Sequence, residues 1–214
     1  AEGLARVGID QGRIEDLDAE GVQGRGRSIA AAGQIAGVVL REVAGGVEAE
    51  GALKQTAARA CMPETADPMD IALQVDAAPS AQPVLRTFAL RRDLLAVGIA
   101  QDVGNGNAEV AVKGAPEAVL ALCAMSPDQQ SEVTAQVASM AADGLRVLAV
   151  ARATVPKGAM PDRLDDLCGN FLGLVGLIDP VRPEVPEAVA RLRAAGIRVV
   201  MITGDHPATA FAIA

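Results

Sequence analysis

Aromatic residues are nearly absent from this 214-residue chain: there are three Phe, no Trp and no Tyr. That removes the stacked-ring platforms by which proteins hold single-stranded nucleic acid. A basic balance is missing too. The formal net charge is −8, so a general DNA or RNA binder is not expected. Histidine occurs once, at His206, which excludes His-rich metal sites. The three cysteines, Cys61, Cys123 and Cys168, form no CxxC or Cys/His cluster. They read as reduced, partly buried thiols rather than a zinc site or a disulfide framework. No run approaches the 18 or more apolar residues of a membrane span. The first residues are charged and Gly-rich, so no signal peptide is expected. The last residues, Phe211-Ala-Ile-Ala214, break off inside an apparent helix, which points to a piece of something longer.

What is present suits a folded protein of one or two domains: half the residues are hydrophobic, and about a fifth of all residues are alanine. The core must be built from Ala, Val, Leu and Ile. Residues 1–50 are the least readable; Ser28–Arg41 fits strand or helix, and Gly45-Gly46 breaks it. Gly51–Met62 reads as a helix ended by Pro63. Asp67-Pro68-Met69-Asp70 opens another, with Asp67 as cap, Pro68 in the first turn and Asp70 at the capping-box position. Val84–Phe88, Leu94–Gln101 and Ala108–Val112 read as strands of an antiparallel sheet, the last two joined by a turn over Asp102–Asn107. Helices are expected over Pro116–Cys123 and Pro127–Ala142, and a strand over Arg146–Ala151. After about residue 165 the pattern changes. Asn170–Ile178 and Ile197–Ile202 are continuously apolar and flank a helix over Glu184–Ala195. Strands apolar on both sides that alternate with helices predict a covered parallel sheet.

Four segments carry chemistry. Lys113-Gly114-Ala115-Pro116-Glu117 places a cation and a small residue between a strand end and a helix start. It suits an anionic or nucleotide ligand, or is an ordinary strand–turn–helix with an exposed lysine. Thr203-Gly204-Asp205-His206-Pro207 follows an apolar strand, where ligands of open α/β sheets bind; Thr203 and Asp205 can also be plain helix caps. In Asp179-Pro180-Val181-Arg182-Pro183, Arg182 can meet a phosphate or pair with a carboxylate. Phe88 stacks on a base or fills the core.

Together and in this order these segments, with Leu145-Arg146-Val147-Leu148-Ala149, resemble the cytoplasmic region of P-type cation-transporting ATPases, over roughly Ala57 to Ala214. Lys-Gly-Ala-Pro-Glu is similar to the calcium, sodium/potassium and proton pump branches. The resemblance implies an α/β fold: an α+β nucleotide-binding domain with an antiparallel sheet over 1–165, and part of a haloacid-dehalogenase-like doubly wound parallel sheet over 166–214. It implies ATP as ligand, with Phe88 on the adenine, Lys113 and Gly114 at its pocket, Asp70 near its amino group and Arg146 on the phosphates. Asp179 and Arg182 fall in the hinge between the domains. Thr203, Gly204 and Asp205 fall in the loop that grips the transferred phosphoryl group. The Asp-Lys-Thr-Gly-Thr segment that holds the phosphorylated aspartate and the Gly-Asp-Gly-X-Asn-Asp loop that helps hold magnesium do not occur in these residues. Leu90 and Asp93 stand where several pumps have basic residues. The chain is therefore expected to bind ATP without turning it over, with magnesium held mostly from elsewhere. Its partners would be the phosphorylation, actuator and membrane domains of one pump, with the chain on the cytoplasmic side of the membrane. The alternative is a pump-like regulatory or interaction module that has lost nucleotide binding. A soluble phosphatase of the haloacid-dehalogenase type needs a nucleophilic Asp on an N-terminal strand, a context Asp10 and Asp16 lack.

Overall fold

A computed structural model of the chain describes residues 5–7, 37–42, 47–75, 77, 80–178, 181–182, 184–203 and 209–210. Their elements are, in order, β1 (Ala5–Val7), β2 (Gly37–Glu42), α1 (Val47–Arg59), α2 (Pro68–Gln74), β3 (Val84–Phe88), β4 (Ala96–Gly104), β5 (Asn107–Gly114), α3 (Pro116–Ala121), α4 (Pro127–Ala142), β6 (Arg146–Pro156), β7 (Asn170–Ile178), α5 (Val185–Ala194) and β8 (Met201–Thr203). Six strands form one antiparallel sheet in the order β2-β7-β6-β5-β4-β3.

Local chemistry explains why these elements start and stop where they do. The hairpin between β4 and β5 turns at Asn105-Gly106, both with positive φ (52° and 76°). Such turns match the twist of the flanking strands, and Asn and Gly accept them at least cost. Ser126 caps α4: its Oγ accepts from the Gln129 N–H while the Gln129 side chain accepts from the Ser126 N–H. That is a reciprocal capping box. The same helix ends at Gly144 (φ 77°), where Gly144 N–H donates to Ala141 O and Leu145 N–H to Met140 O. This is a Schellman ending, and its apolar pair Met140 and Leu145 is buried. At α2, Asp67 accepts from Met69 N–H as expected. The second half of the box is different: Asp67 N–H donates to Thr65 Oγ1, and the Asp70 carboxylate turns elsewhere.

Helices cover the sheet on both faces. On one face α3 and α4 close over Phe88, Val110, Val112, Ala149 and Leu174. On the other, α1, α2 and the segment between them supply Leu53, Ala57, Leu73 and Cys61 against Val150, Val175 and Leu177. β7 sits between β6 and β2, antiparallel to both. This corrects the expectation that Asn170–Ile178 starts a parallel sheet. Its unbroken apolar run reflects burial on both faces, which an antiparallel strand sandwiched between two helix layers shares with a parallel one. β8 is likewise antiparallel, to β1, and spans three residues rather than the whole of 197–202. Among the described residues no doubly wound parallel sheet is formed.

At β3, a sheet edge, the register shifts between Val84 and Arg86. The Arg86 guanidinium there donates to Pro161 O (2.6 Å) and Asp162 (2.8 Å).

Candidate functional site

At one end of the sheet, β3, β4, β5 and β6 have their ends at Phe88, Ala96, Gly114 and Arg146. A cavity of about 950 Å³ opens there, lined among others by Asp70, Phe88, Lys113, Gly114 and Arg146. These residues are far apart in the chain. The antiparallel register and the packing of α2 bring them together.

Lys113 is the centre of the polar part. β5 alternation turns its side chain toward α1 and α2, away from the face that holds Val112. The ammonium donates to the Asp70 carboxylate and, at 3.0 Å, to Cys61 Sγ. The Lys113 and Asp70 side chains are 8% and 16% exposed, so the pair is nearly out of water. A charge in that position persists only when paired. Burial pushes the Cys61 thiol up to about 11, against the opposing pull of the Lys113 charge. The thiol is therefore protonated at neutral pH.

Gly114 is where the chain has no room for a side chain. A Cβ there would meet Leu95 O at 2.4 Å and Ala96 Cα at 2.6 Å. Those are backbone atoms that cannot swing aside. Arg146 opens β6 two residues after Gly144, exposed at the cavity rim and on the same sheet face as Leu148, Val150 and Lys113.

Phe88 is differently placed. It pairs across β4 with Gly98, and Gly98 with Val112, a row on the opposite face from Lys113. Its ring is 6% exposed and packs in the α3/α4 core. Gly98 makes space for it, since a Cβ at Gly98 would lie 3.3 Å from the ring and 2.9 Å from Leu164. Phe88 and Lys113 reach one cavity because it wraps round the strand ends.

The loop Ala89–Leu95 forms part of the rim through Ala89, Leu90 and Leu95. Arg91 ties it down, donating to Asp93 and to Asp165. Its guanidinium, hydrogen-bonded to Asp93, holds that carboxyl at about 2, below its ordinary 3.8.

Of the residues expected to handle the phosphoryl group, only Arg182 and Thr203 fall among the described residues. Arg182 is exposed and does not line the cavity. Thr203 ends β8, its backbone paired with Ala5. Asp179, Gly204 and Asp205 lie outside the described residues. Two participants were not expected. Thr209, 3% exposed, lines the cavity and donates to Leu145 O at 3.1 Å. Cys61, just past the end of α1, touches Lys113 from 52 residues away, and no spacing in the sequence signals that contact. Among the described residues no group of three or more His, Cys, Asp or Glu is placed to hold a metal ion. Nor is any helix there long and apolar enough to cross a membrane.

Residues 91–184 match the family described as P-type ATPase, cytoplasmic domain N. A sodium/potassium exporting P-type ATPase of Schizosaccharomyces pombe is 36% identical over 141 residues, covering 61% of this chain and 14% of that protein. The human sodium/potassium-transporting ATPase subunit alpha-2 is 40% identical over 124 residues, covering 48% of this chain and 12% of its own length. The rat alpha-3 subunit is 36% identical over 141 residues, or 56% and 14%. The chain thus spans about a seventh of the length of these relatives or less.

Proposed function

This chain carries the cytoplasmic N domain of the P-type cation ATPases, and from that premise we propose that its cavity binds ATP. The whole protein would be an ion-translocating hydrolase, and this domain would present the γ-phosphoryl group to an aspartate outside these residues. One observation carries the reading: within and beside the family-matched segment, Asp70, Phe88, Lys113, Gly114 and Arg146 line a single cavity.

Each residue has a physical task in it. Lys113 offers a fixed positive charge and N–H donors at the cavity wall. Gly114 lets the ligand approach the backbone. Asp70 accepts hydrogen bonds from an amino group once it shares its lysine. Arg146, at the rim, neutralises phosphate with a planar fork of donors. Phe88 supplies the apolar wall at the base end. Magnesium, held mostly by groups outside this chain, would spread the phosphate charge; this chain contributes binding and orientation. Arg182, Thr203, Gly204, Asp205 and Asp179 act in the proposal only after a second domain is complete. We place the boundary of the N domain after β7, because that strand belongs to its sheet. The remaining domains of one pump, on the cytoplasmic side of a membrane, are the proposed partners.

Burial of Phe88 and the pairing of Lys113 with Asp70 favour a second reading, a pump-like module without nucleotide binding. Calorimetric titration of ATP decides between them. Binding that weakens about tenfold in Arg146→Ala and in Phe88→Leu, which keeps an apolar side chain in the core, supports the ATP site. No heat at millimolar ATP in the folded wild-type chain supports the second reading.

A further inference from the structure

The buried thiol behind the cavity has no task in the reading above. Cys61 follows the end of α1 and is 3% exposed. It does not line the cavity, yet its sulfur accepts from Lys113 Nζ at 3.0 Å. The same Sγ donates to the Ala57 carbonyl at 3.2 Å. Its proton is thus committed to α1, and its lone pairs face the ammonium. Being a neutral thiol, it adds an acceptor beside the Asp70–Lys113 pair without adding charge.

Donor arithmetic gives this contact a consequence. A lysine ammonium has three N–H donors and no acceptor. Asp70 takes one and Cys61 a second. The third remains for the cavity that Lys113 lines. Two acceptors on different segments fix the direction of the third N–H. One acceptor alone would let the ammonium, on its flexible four-carbon stem, pivot about Asp70. A group already held in its bound geometry costs less to order when ligand arrives.

We propose that Cys61 is a positioning residue of the nucleotide cavity: through Lys113, its thiol aims one ammonium N–H at the bound nucleotide. The proposal rests on the ATP reading, and its test separates the two. The 214-residue chain is prepared as wild type, Cys61→Ala and Cys61→Ser, with thermal melting as the check on folding. The Lys113 side-chain NMR signal, assigned by its loss in Lys113→Met, is recorded without nucleotide, and ATP is then titrated by calorimetry. In Cys61→Ala the Lys113 signal is expected to move, and the ATP dissociation constant to rise about three- to tenfold, the range of one ordinary intramolecular hydrogen bond. Cys61→Ser keeps a donor and an acceptor at the site; its signal should stay near the wild-type position and its affinity within about twofold. An unmoved Lys113 signal in folded Cys61→Ala overturns the proposal. So does an equal loss of affinity in both variants that follows their melting temperatures, since packing alone would produce it. Absence of ATP binding in the wild type overturns the nucleotide reading and the functional half of this one. The ligand-free signal then still decides whether Cys61 places Lys113.

Discussion

α4 and α5 end in the same way and fare differently. Each finishes on a glycine with positive φ, Gly144 at 77° and Gly196 at 75°. Each has the same pair of closing backbone bonds: Leu145 N–H to Met140 O and Gly144 N–H to Ala141 O, or Ile197 N–H to Leu192 O and Gly196 N–H to Arg193 O. In α4 the apolar partners Met140 and Leu145 are both 3% exposed. In α5 Leu192 and Ile197 are 39% and 51% exposed, and Ile202 beyond them is 71% exposed. The local sequence sets the geometry of an ending. Only the surroundings decide whether its apolar pair contributes to stability.

The contrast can be broken at its strongest point first. Leu145→Ala is expected to cost about 3–4 kcal/mol in urea denaturation, since a fully packed site collapses poorly around a lost side chain. Ile197→Ala should stay within about 0.5 kcal/mol. Ion pairs divide in the same way. Lys113→Ala leaves the Asp70 carboxylate nearly buried and alone, and should cost about 2–3 kcal/mol; Lys113→Met with Asp70→Leu should recover most of it. Arg191→Ala, which removes the exposed Glu187–Arg191 pair of α5, should cost no more than about 0.5 kcal/mol. The two glycines sharpen the comparison from the other side. Gly144→Ala and Gly196→Ala should each cost about 1 kcal/mol, because the penalty of a left-handed backbone is local and indifferent to burial.

The smallest effects concern the thiols. Cys168 is exposed while Cys61 and Cys123 are buried. A water-soluble disulfide reagent should therefore label Cys168 at once and the other two only as the chain opens. Burial pushes both inner thiols up from 9.0 to about 11. Their contribution to stability is complete below pH 9, where folded and unfolded thiols are both protonated. It is lost as pH rises toward 11, because the unfolded thiols ionise first. The urea midpoint should fall more steeply over that interval in the wild type than in Cys61→Ser.

Where the sequence was legible, the signal was local. α4 occupies the expected residues because Pro127 opens it and Gly144 closes it. The hairpin turn is written in Asn105-Gly106. β6 runs further than expected, to Pro156, because pairing with β5 continues to Asn107 and carries Ala153 and Val155 into the core. β2, overlapping the stretch that fitted strand or helix, is a strand because β7 is there to receive it. β7 itself was assigned to the wrong sheet, since burial on two faces leaves no trace of strand direction. Within the site, Lys113 and Gly114 stood out by residue type and place, and Arg146 only through the family resemblance. The bond from Lys113 to Cys61 did not: 52 residues separate them, and no spacing rule spans that distance.

The edge at β3 has a consequence for many molecules at once. An edge strand offers unpaired backbone groups to any passing strand, and Val84 and Leu85 are 43% and 44% exposed there. The register shift between Val84 and Arg86 spoils the template, and Arg86, anchored to Pro161 and Asp162, sets a charge across it. In a concentrated solution of this chain, strand-to-strand growth from β3 would begin with prying that arginine loose.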